Sequence, residues 1–299
     1  MLNTQYKIRN TIHMPLLSVI IPTHKRADIL QKCLQHLESQ TIANQIEVIV
    51  IHDGHDDKTD ALIAKSTWQI PVYYESIPKS QQGVARNVGV QKAQASTCLF
   101  IGDDTFLAVD ACEKHVHMHK TKDPIAVLGK TIWDPSLEIT PVMKWLDTSG
   151  WQFGYEHIAR YATTEIPQAI QHRYTYTIHI SIPTSVAKRT PFREDATLYG
   201  WEDVEWGMQL RDCGVPLYYE PQALAYHHHH MTLEDSLNRM ETIGKSAVFF
   251  ERNVPKFDRL PKGLKRLKYE ICSLLPTMDG KHRAAFLRGM RKAQKRISY

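Results

Sequence analysis

The sequence predicts an α/β fold in which a mostly parallel sheet is flanked by helices and followed by a helical C-terminal extension. Three observations carry this expectation. Short apolar runs alternate with segments of helical periodicity over the first hundred residues, as a doubly wound sheet requires. Polar residues sit at the downstream end of each run, where open α/β sheets bind their ligands. From Thr232 onward the pattern is helical, interrupted at Pro255, Pro261 and Pro276.

The first run, Leu16-Leu17-Ser18-Val19-Ile20-Ile21, reads as a buried strand closing at Pro22. It is far shorter than the ~20 apolar residues of a spanning helix, and no cleavage-site pattern follows it. A helix is expected over Ala27 to Ser39, where Ile29, Leu30, Cys33, Leu34 and Leu37 recur at helical spacing. Ile46 to Ile51 is a second strand, Lys58 to Ser66 a short helix, and Val72-Tyr73-Tyr74 a third strand. Val84 to Ala95 is a helix with Ala85, Val88 and Ala93 on one face, and Leu99 to Ile101 closes the set. Further on, Ala126-Val127-Leu128 and Tyr174 to Ile182 read as strands. Glu202 to Cys213 reads as a helix stopped by Gly214, and Leu217-Tyr218-Tyr219 and Ala223 to Tyr226 as two short strands. The expected units are residues 14–232, a single α/β domain, and residues 233–299, the extension.

Composition, 42% hydrophobic and 23% charged, is that of an ordinary globular protein. Five cysteines without paired spacing argue for reduced thiols in a cytoplasmic setting, against a disulfide framework or a structural zinc site. The net charge of +5 hides an asymmetry. Residues 252–299 hold fourteen Lys and Arg against three acids, a net of +11, which leaves −6 on the remainder. Such a tail attracts anionic surfaces or substrates. Its charges are not interleaved with aromatics as a single-strand binder requires, so no nucleic-acid partner is expected. Over Lys256 to Lys268, Leu260, Leu264 and Leu267 lie between basic residues. That pattern fits a helix lying peripherally on the inner face of an anionic membrane, and equally a helix packing its leucines on the rest of the chain.

Three strand tips, Thr23-His24, His52-Asp53-Gly54 and Asp103-Asp104, converge on one crevice. Two adjacent acids at a strand end concentrate negative charge that a hard divalent cation, Mg²⁺ or Mn²⁺, would neutralise while bridging to a phosphate; a solvated Asp-Asp turn is the alternative. Glu202-Asp203 begins a helix, so either acid caps free N–H groups there or serves as a general base. In the run His227-His228-His229-His230, strand alternation puts His227 and His229 on one face, where imidazoles would favour Mn²⁺; a polar strand end is the other reading. Trp133, Trp145, Trp151, Phe153 and Tyr155 form an aromatic cluster, and Thr140 to Gly154 suits an acceptor wall or lid as well as core packing.

In order, Ser18-Val19-Ile20-Ile21-Pro22-Thr23, Ile49-Val50-Ile51-His52-Asp53-Gly54, Gly83-Val84-Ala85-Arg86-Asn87-Val88-Gly89 and Phe100-Ile101-Gly102-Asp103-Asp104 resemble the motifs of family 2 glycosyltransferases. Gly200-Trp201-Glu202-Asp203 and Ala225-Tyr226-His227-His228-His229 extend the resemblance, which spans roughly residues 16–235. It implies a GT-A fold and inverting transfer of a sugar from a nucleotide-diphosphate donor, with a UDP-sugar favoured. The acceptor would be a saccharide or lipid-linked hydroxyl.

Carried over residue by residue, Pro22 and Thr23 would line the nucleotide pocket, Asp53 would take a hydrogen bond from the base, and Arg86 would lie near the diphosphate. Asp103 would face ribose or metal, and Asp104 would be the principal metal ligand, with His227 or His229 completing the shell. Asp203 would be the general base and Glu202 the second candidate. Asn87 fits either a ligand contact or helix packing. The family often has Asp where this chain has Gly102 and His52, and Asn where it has His179, two residues before Ser181. Two rival readings are a non-catalytic nucleotide- or anionic-surface-binding protein and a sugar-nucleotide pyrophosphorylase. The second should carry a Gly-rich loop after the first strand, where this chain has Pro22-Thr23-His24-Lys25-Arg26.

Overall fold

The computed structural model describes residues 14–65 and 67–295. Strand β1 (Leu17–Thr23) is buried along its length, with only Pro22 partly open. It is followed by α1 (Ala27–Glu38), β2 (Ile46–Asp53), α2 (Asp57–Lys65), β3 (Val72–Ile77), α3 (Gln82–Lys92) and β4 (Thr97–Ile101). Ser66, expected to end the second helix, lies outside the described residues. Strands β3, β2, β1 and β4 lie side by side and parallel, with Ser18 facing both Glu47 and Cys98 in register. Their continuous apolar runs feed two cores at once, since successive side chains take opposite faces. Ile20, Ile49 and Phe100 pack with Ala85 and Val90 of α3 on one face. Val19, Ile21 and Val48 pack with Leu30, Leu34 and Leu37 of α1 on the other.

Beyond β4 come β5 (Thr105–Leu107), α4 (Ala111–Thr121), β6 (Ala126–Trp133), α5 (Pro141–Ser149) and α6 (Tyr155–Ile158). Then follow β7 (Glu165–Ile166), β8 (His179–Pro183), α7 (Thr184–Arg189), α8 (Glu202–Asp212) and β9 (Leu217–His227). The sheet order is β3-β2-β1-β4-β8-β6-β9-β5, with β7 paired to β9. Strand β8 enters antiparallel to both β4 and β6, while β6 and β9 run parallel. The sheet is thus parallel through its first four strands and mixed beyond them.

Two expected elements differ. The strand anticipated over Tyr174 to Ile182 starts only at His179. Upstream of it, Thr175 turns inward and donates its hydroxyl to the Asp203 carbonyl at 2.7 Å, so this stretch braces α8 instead of joining the sheet. The two short strands around Tyr218 and Leu224 are one strand, β9, whose pairing slips opposite Gly129 and Lys130.

The extension forms α9 (Leu233–Asn253), α10 (Gly263–Cys272) and α11 (Met278–Lys295); residues 296–299 lie outside the described range. Helix α9 opens with a reciprocal cap between Thr232 and Asp235, and the breaks between helices fall at the prolines. Met240, Phe250, Phe286 and Met290 share one cluster with Val204 and Met208 of α8, so the extension packs directly behind the helix that carries Glu202 and Asp203. Among the described residues no helix is long and apolar enough to cross a membrane.

Candidate active site

The acid pair leaves β4 through a tight turn, Thr105 N–H donating to the Gly102 carbonyl at 3.1 Å. Strand β5, unforeseen in the sequence, then pairs antiparallel with β9, Thr105 opposite His227. That register sets Asp104 beside the histidine run, and His228 N–H donates to the Asp104 carbonyl at 2.7 Å. Side-chain alternation does the rest. His227 Nε2 and His229 Nδ1 lie 3.5 and 3.4 Å from Asp104 Oδ2, while His228 turns the other way to Asp134 at 2.6 Å.

Asp104, His227 and His229 each present a ligand atom, all within 4.8 Å of one another. One carboxylate and two imidazoles converging in a mostly buried corner fit a divalent transition ion. His227 Nδ1 is buried without a partner, and the ring is stacked on Trp133 at a centroid distance of 5.2 Å, which fixes its plane. The second such group among the described residues, His55 with Asp57 and Asp60, does not line the cavity described below.

Arg26 was not singled out by the sequence reading, yet it completes this corner. Its guanidinium bridges Asp103 Oδ1 at 2.8 Å and Asp104 Oδ2 at 3.0 Å. Thr23 donates to Asp103 Oδ2 at 2.8 Å. Burial and then the neighbouring Asp104 charge push Asp103 up to about 7. Burial alone would also raise Asp104, but the bonds from His227 and His229 and the charge of Arg26 hold it well below the usual carboxylate range. Asp104 is therefore the more readily ionised member of the pair.

Pro22, Arg86, Asp103, Asp104, Glu202, Asp203, His227 and His229, eight of the residues singled out in the sequence, line one cavity of about 840 Å³. Gly200 and Trp201 both take positive φ, 104° and 74°, a sharp turn that aims the start of α8 into this space. The strained Trp201 backbone is held by its indole N–H, which donates to the Ile243 carbonyl of α9 at 3.0 Å. Glu202 is tied back by Gln82 and by Gly200 N–H. Asp203 has one local bond, to its neighbour Val204 N–H at 2.8 Å, and burial followed by the Glu202 charge pushes it up to about 7. Arg86 is buried with Nε and Nη1 unpartnered, and it faces Glu202 and Asp203. Arg239 is held by Gln152 and Tyr199 in the same cavity.

Thr23 and Asp53 do not line the cavity. Thr23 acts through Asp103, and the Asp53 carboxylate is covered by Lys79 together with the N–H and hydroxyl of Ser80. His52 holds Tyr74 at 3.0 Å. Asn87 spans to the Phe192 backbone through both ends of its amide, at 2.8 Å each, so it ties α3 to the loop before α8. His179 and Ser181 point to α4, away from this site, where they meet His115 and His119. Of the Thr140 to Gly154 segment, Ser149 to Phe153 line the cavity, and α5 packs Val142, Met143 and Leu146 behind it.

Validoxylamine A glucosyltransferase of Streptomyces hygroscopicus subsp. jinggangensis (strain 5008) is 25% identical over 228 residues, 69% of this chain and 54% of that protein. This chain thus spans about half the length of that relative. Among solved structures, the Pyrobaculum calidifontis mannosyltransferase PcManGT, in complex with GDP-Man and Mn²⁺, superposes with a TM-score of 0.62 at 12% identity. It covers 97% of this chain and 90% of its own. Residues 1–349 of S. aureus TarS in complex with UDP give 0.57 at 13%, covering 94% and 91%. The shared architecture is the GT-A fold. The sequence pattern of glycosyl transferase family 2 matches residues 18–177, more than half of the chain and all four of its parallel strand tips, and the chain belongs to that family.

Proposed function

We propose that the protein is an inverting, metal-dependent glycosyltransferase that moves a sugar from a nucleotide-diphosphate donor, a UDP-sugar favoured, to a hydroxyl on a saccharide or lipid-linked acceptor. One observation carries this reading: the Asp104–His227–His229 corner and a buried carboxyl, Asp203, poised near neutrality, open into a single cavity. The structures with UDP, UDP-GlcNAc and GDP-Man among its neighbours support a nucleotide-sugar donor.

Asp104, His227 and His229 would hold the divalent cation, Mn²⁺ or Mg²⁺, with Asp103 beside them. When bound, the ion supplies positive charge for the departing diphosphate. The chain's own residues do the remainder. Pro22 borders the nucleotide end with Thr23 acting through Asp103, Asp53 stays engaged by Lys79 and Ser80 outside the cavity, and Arg86 offers its unpartnered Nε and Nη1 to phosphate oxygens. Asp203, ionised above neutral pH, takes the proton of the acceptor hydroxyl as its oxygen bonds to the anomeric carbon and the bond to the diphosphate oxygen breaks. Glu202, held by Gln82 and Gly200, acts on Asp203 through its charge and is the reserve base.

The reading is tested by incubating the full chain with Mn²⁺ and a panel of UDP- and GDP-sugars and following nucleoside diphosphate release. At least one donor should turn over in the wild type. Asp203→Asn should still bind that donor yet lose about 10²-fold or more of its turnover. Full turnover by Asp203→Asn, or calorimetry silent toward every nucleoside diphosphate, overturns it.

A further inference from the structure

Helix α10 leaves an apolar face uncovered. Leu264, Leu267 and Ile271 recur on one side of it, and Leu274 and Leu275 continue that surface past its end. Leu264 is 86% and Leu274 84% exposed, and the other three are each more than half exposed. Five of the nine large hydrophobics exposed among the described residues fall in these twelve positions, a concentration that scattered surface leucines do not produce. Packing against the rest of the chain is carried by other residues. Leu260 and Tyr269 join the cluster around Phe286 and Met290, which leaves the leucines of α10 outward.

Basic residues flank the face. Lys262 pairs with Glu251 and Arg266 with Glu270, whereas Lys265 and Lys268 have no ion-pair partner among the described residues. We propose that this face seats on an anionic lipid bilayer, its leucines entering the headgroup boundary and Lys268 meeting lipid phosphates. Charge complementarity selects that occupant, because the tail beyond residue 251 carries a net of +11. The five side chains at the centre of the face carry no hydrogen-bonding group, which disfavours nucleic acid. Lys265 and Tyr269 on the adjoining flank of α10 line the active cavity, so seating here brings the cavity rim to the headgroup layer, where a lipid-linked acceptor is presented. The membrane contact does not depend on the transfer reaction and is measured without donor.

The full chain is sedimented with vesicles of phosphatidylcholine alone and of phosphatidylcholine with phosphatidylglycerol. It should pellet with the anionic vesicles and remain in solution with the neutral ones. Leu264→Glu/Leu267→Glu, with its thermal unfolding unchanged, should lower binding by roughly tenfold or more. Lys268→Glu should weaken it at low salt and converge with the wild type at high salt. Absence of pelleting, or both variants pelleting as fully as the wild type at low salt, overturns the proposal. So does a lipid-free dimer, seen by light scattering, that the double variant dissolves, because the face would then be covered by a second copy.

Discussion

Arg26 Nη2 lies 3.0 Å from Asp104 Oδ2, the same carboxylate oxygen that faces His227 and His229. A guanidinium therefore already neutralises the oxygen that a divalent cation would take, and the two positive groups compete for it. Arg26→Gln removes the competitor and leaves both acids. Mn²⁺ titrated into the full chain by calorimetry should then bind more tightly, by about threefold to tenfold, a change of up to ~1.4 kcal/mol. Asp104→Asn should weaken Mn²⁺ by about tenfold or more, since it removes the anionic ligand. Weaker Mn²⁺ binding in Arg26→Gln would show instead that Arg26 arranges the two acids for the metal.

Arg86 and Asp203 give a pH signature. Asp203 works as a base only when ionised, so transfer should rise with pH along an acid limb near 7 and level off above it. The Arg86 charge lowers the Asp203 pKa, and removing that charge must raise it. Arg86→Gln should move the acid limb to higher pH as well as raising the donor KM, while Arg86→Lys should hold the limb closer to the wild-type position. A limb that stays in place in Arg86→Gln means the two groups do not communicate, and that Arg86 serves the donor alone.

Gly89 tests why the third motif needs a glycine. On an exposed helix Gly→Ala gains up to ~1 kcal/mol from propensity. Here an added Cβ would stand 2.5 Å from Ile20 Cγ2, a β-branched side chain fixed at the centre of the buried strand β1. Overpacking of that kind costs about 1–3 kcal/mol, which exceeds the propensity gain. Gly89→Ala should therefore lower the urea midpoint with an unchanged m-value. An equal or higher midpoint would mean that α3 can shift off β1 freely.

The parallel half of the sheet was legible because its strands announce themselves locally, as apolar runs ending in polar tips. Asp104, His227 and His229 were legible as residue types, through strand alternation and the strand-tip rule. What hid was whatever depends on distant pairing. Thr105-Phe106-Leu107 is too short to read as a strand, yet its register with β9 is what brings Asp104 to the histidines. Arg26 follows a loop with Lys25 at positive φ, and its neighbour in sequence gives no hint that it turns to acids 77 and 78 positions away. The Tyr174 to Tyr176 alternation resembles a strand, but the Tyr176 ring packs on Phe153 and Tyr155 and the Tyr174 ring on Tyr176. Sequence period alone does not distinguish the two.

The histidines outside the cavity make the last test. His115 Nδ1 and His119 Nε2 lie 2.7 and 2.8 Å from Ser181 Oγ, and His115 Nε2 lies 3.0 Å from His179 Nε2. Burial lowers His119 and His179 to about 4, and burial with the neighbouring imidazoles holds His115 well below its ordinary 6.5. The folded protein keeps them neutral down to about pH 4, whereas the unfolded chain takes up protons near 6.5. Between those values the unfolded state binds more protons, so this cluster loses stability as the pH falls and has its full stability above 6.5. For His119 and His179 the loss is at most ~3 kcal/mol each, from 1.36 kcal/mol per pKa unit. Asp103 and Asp203 act oppositely, because carboxyls raised to about 7 bind protons more readily when folded. The wild-type slope therefore mixes both signs, and a difference isolates the histidines. The unfolding free energy of the wild type minus that of His119→Asn, measured in urea at pH 7.5, 6.5 and 5.5, should shrink steadily as the pH drops. A constant difference would mean that His119 is protonated equally in both states, and that water reaches α4 behind β8.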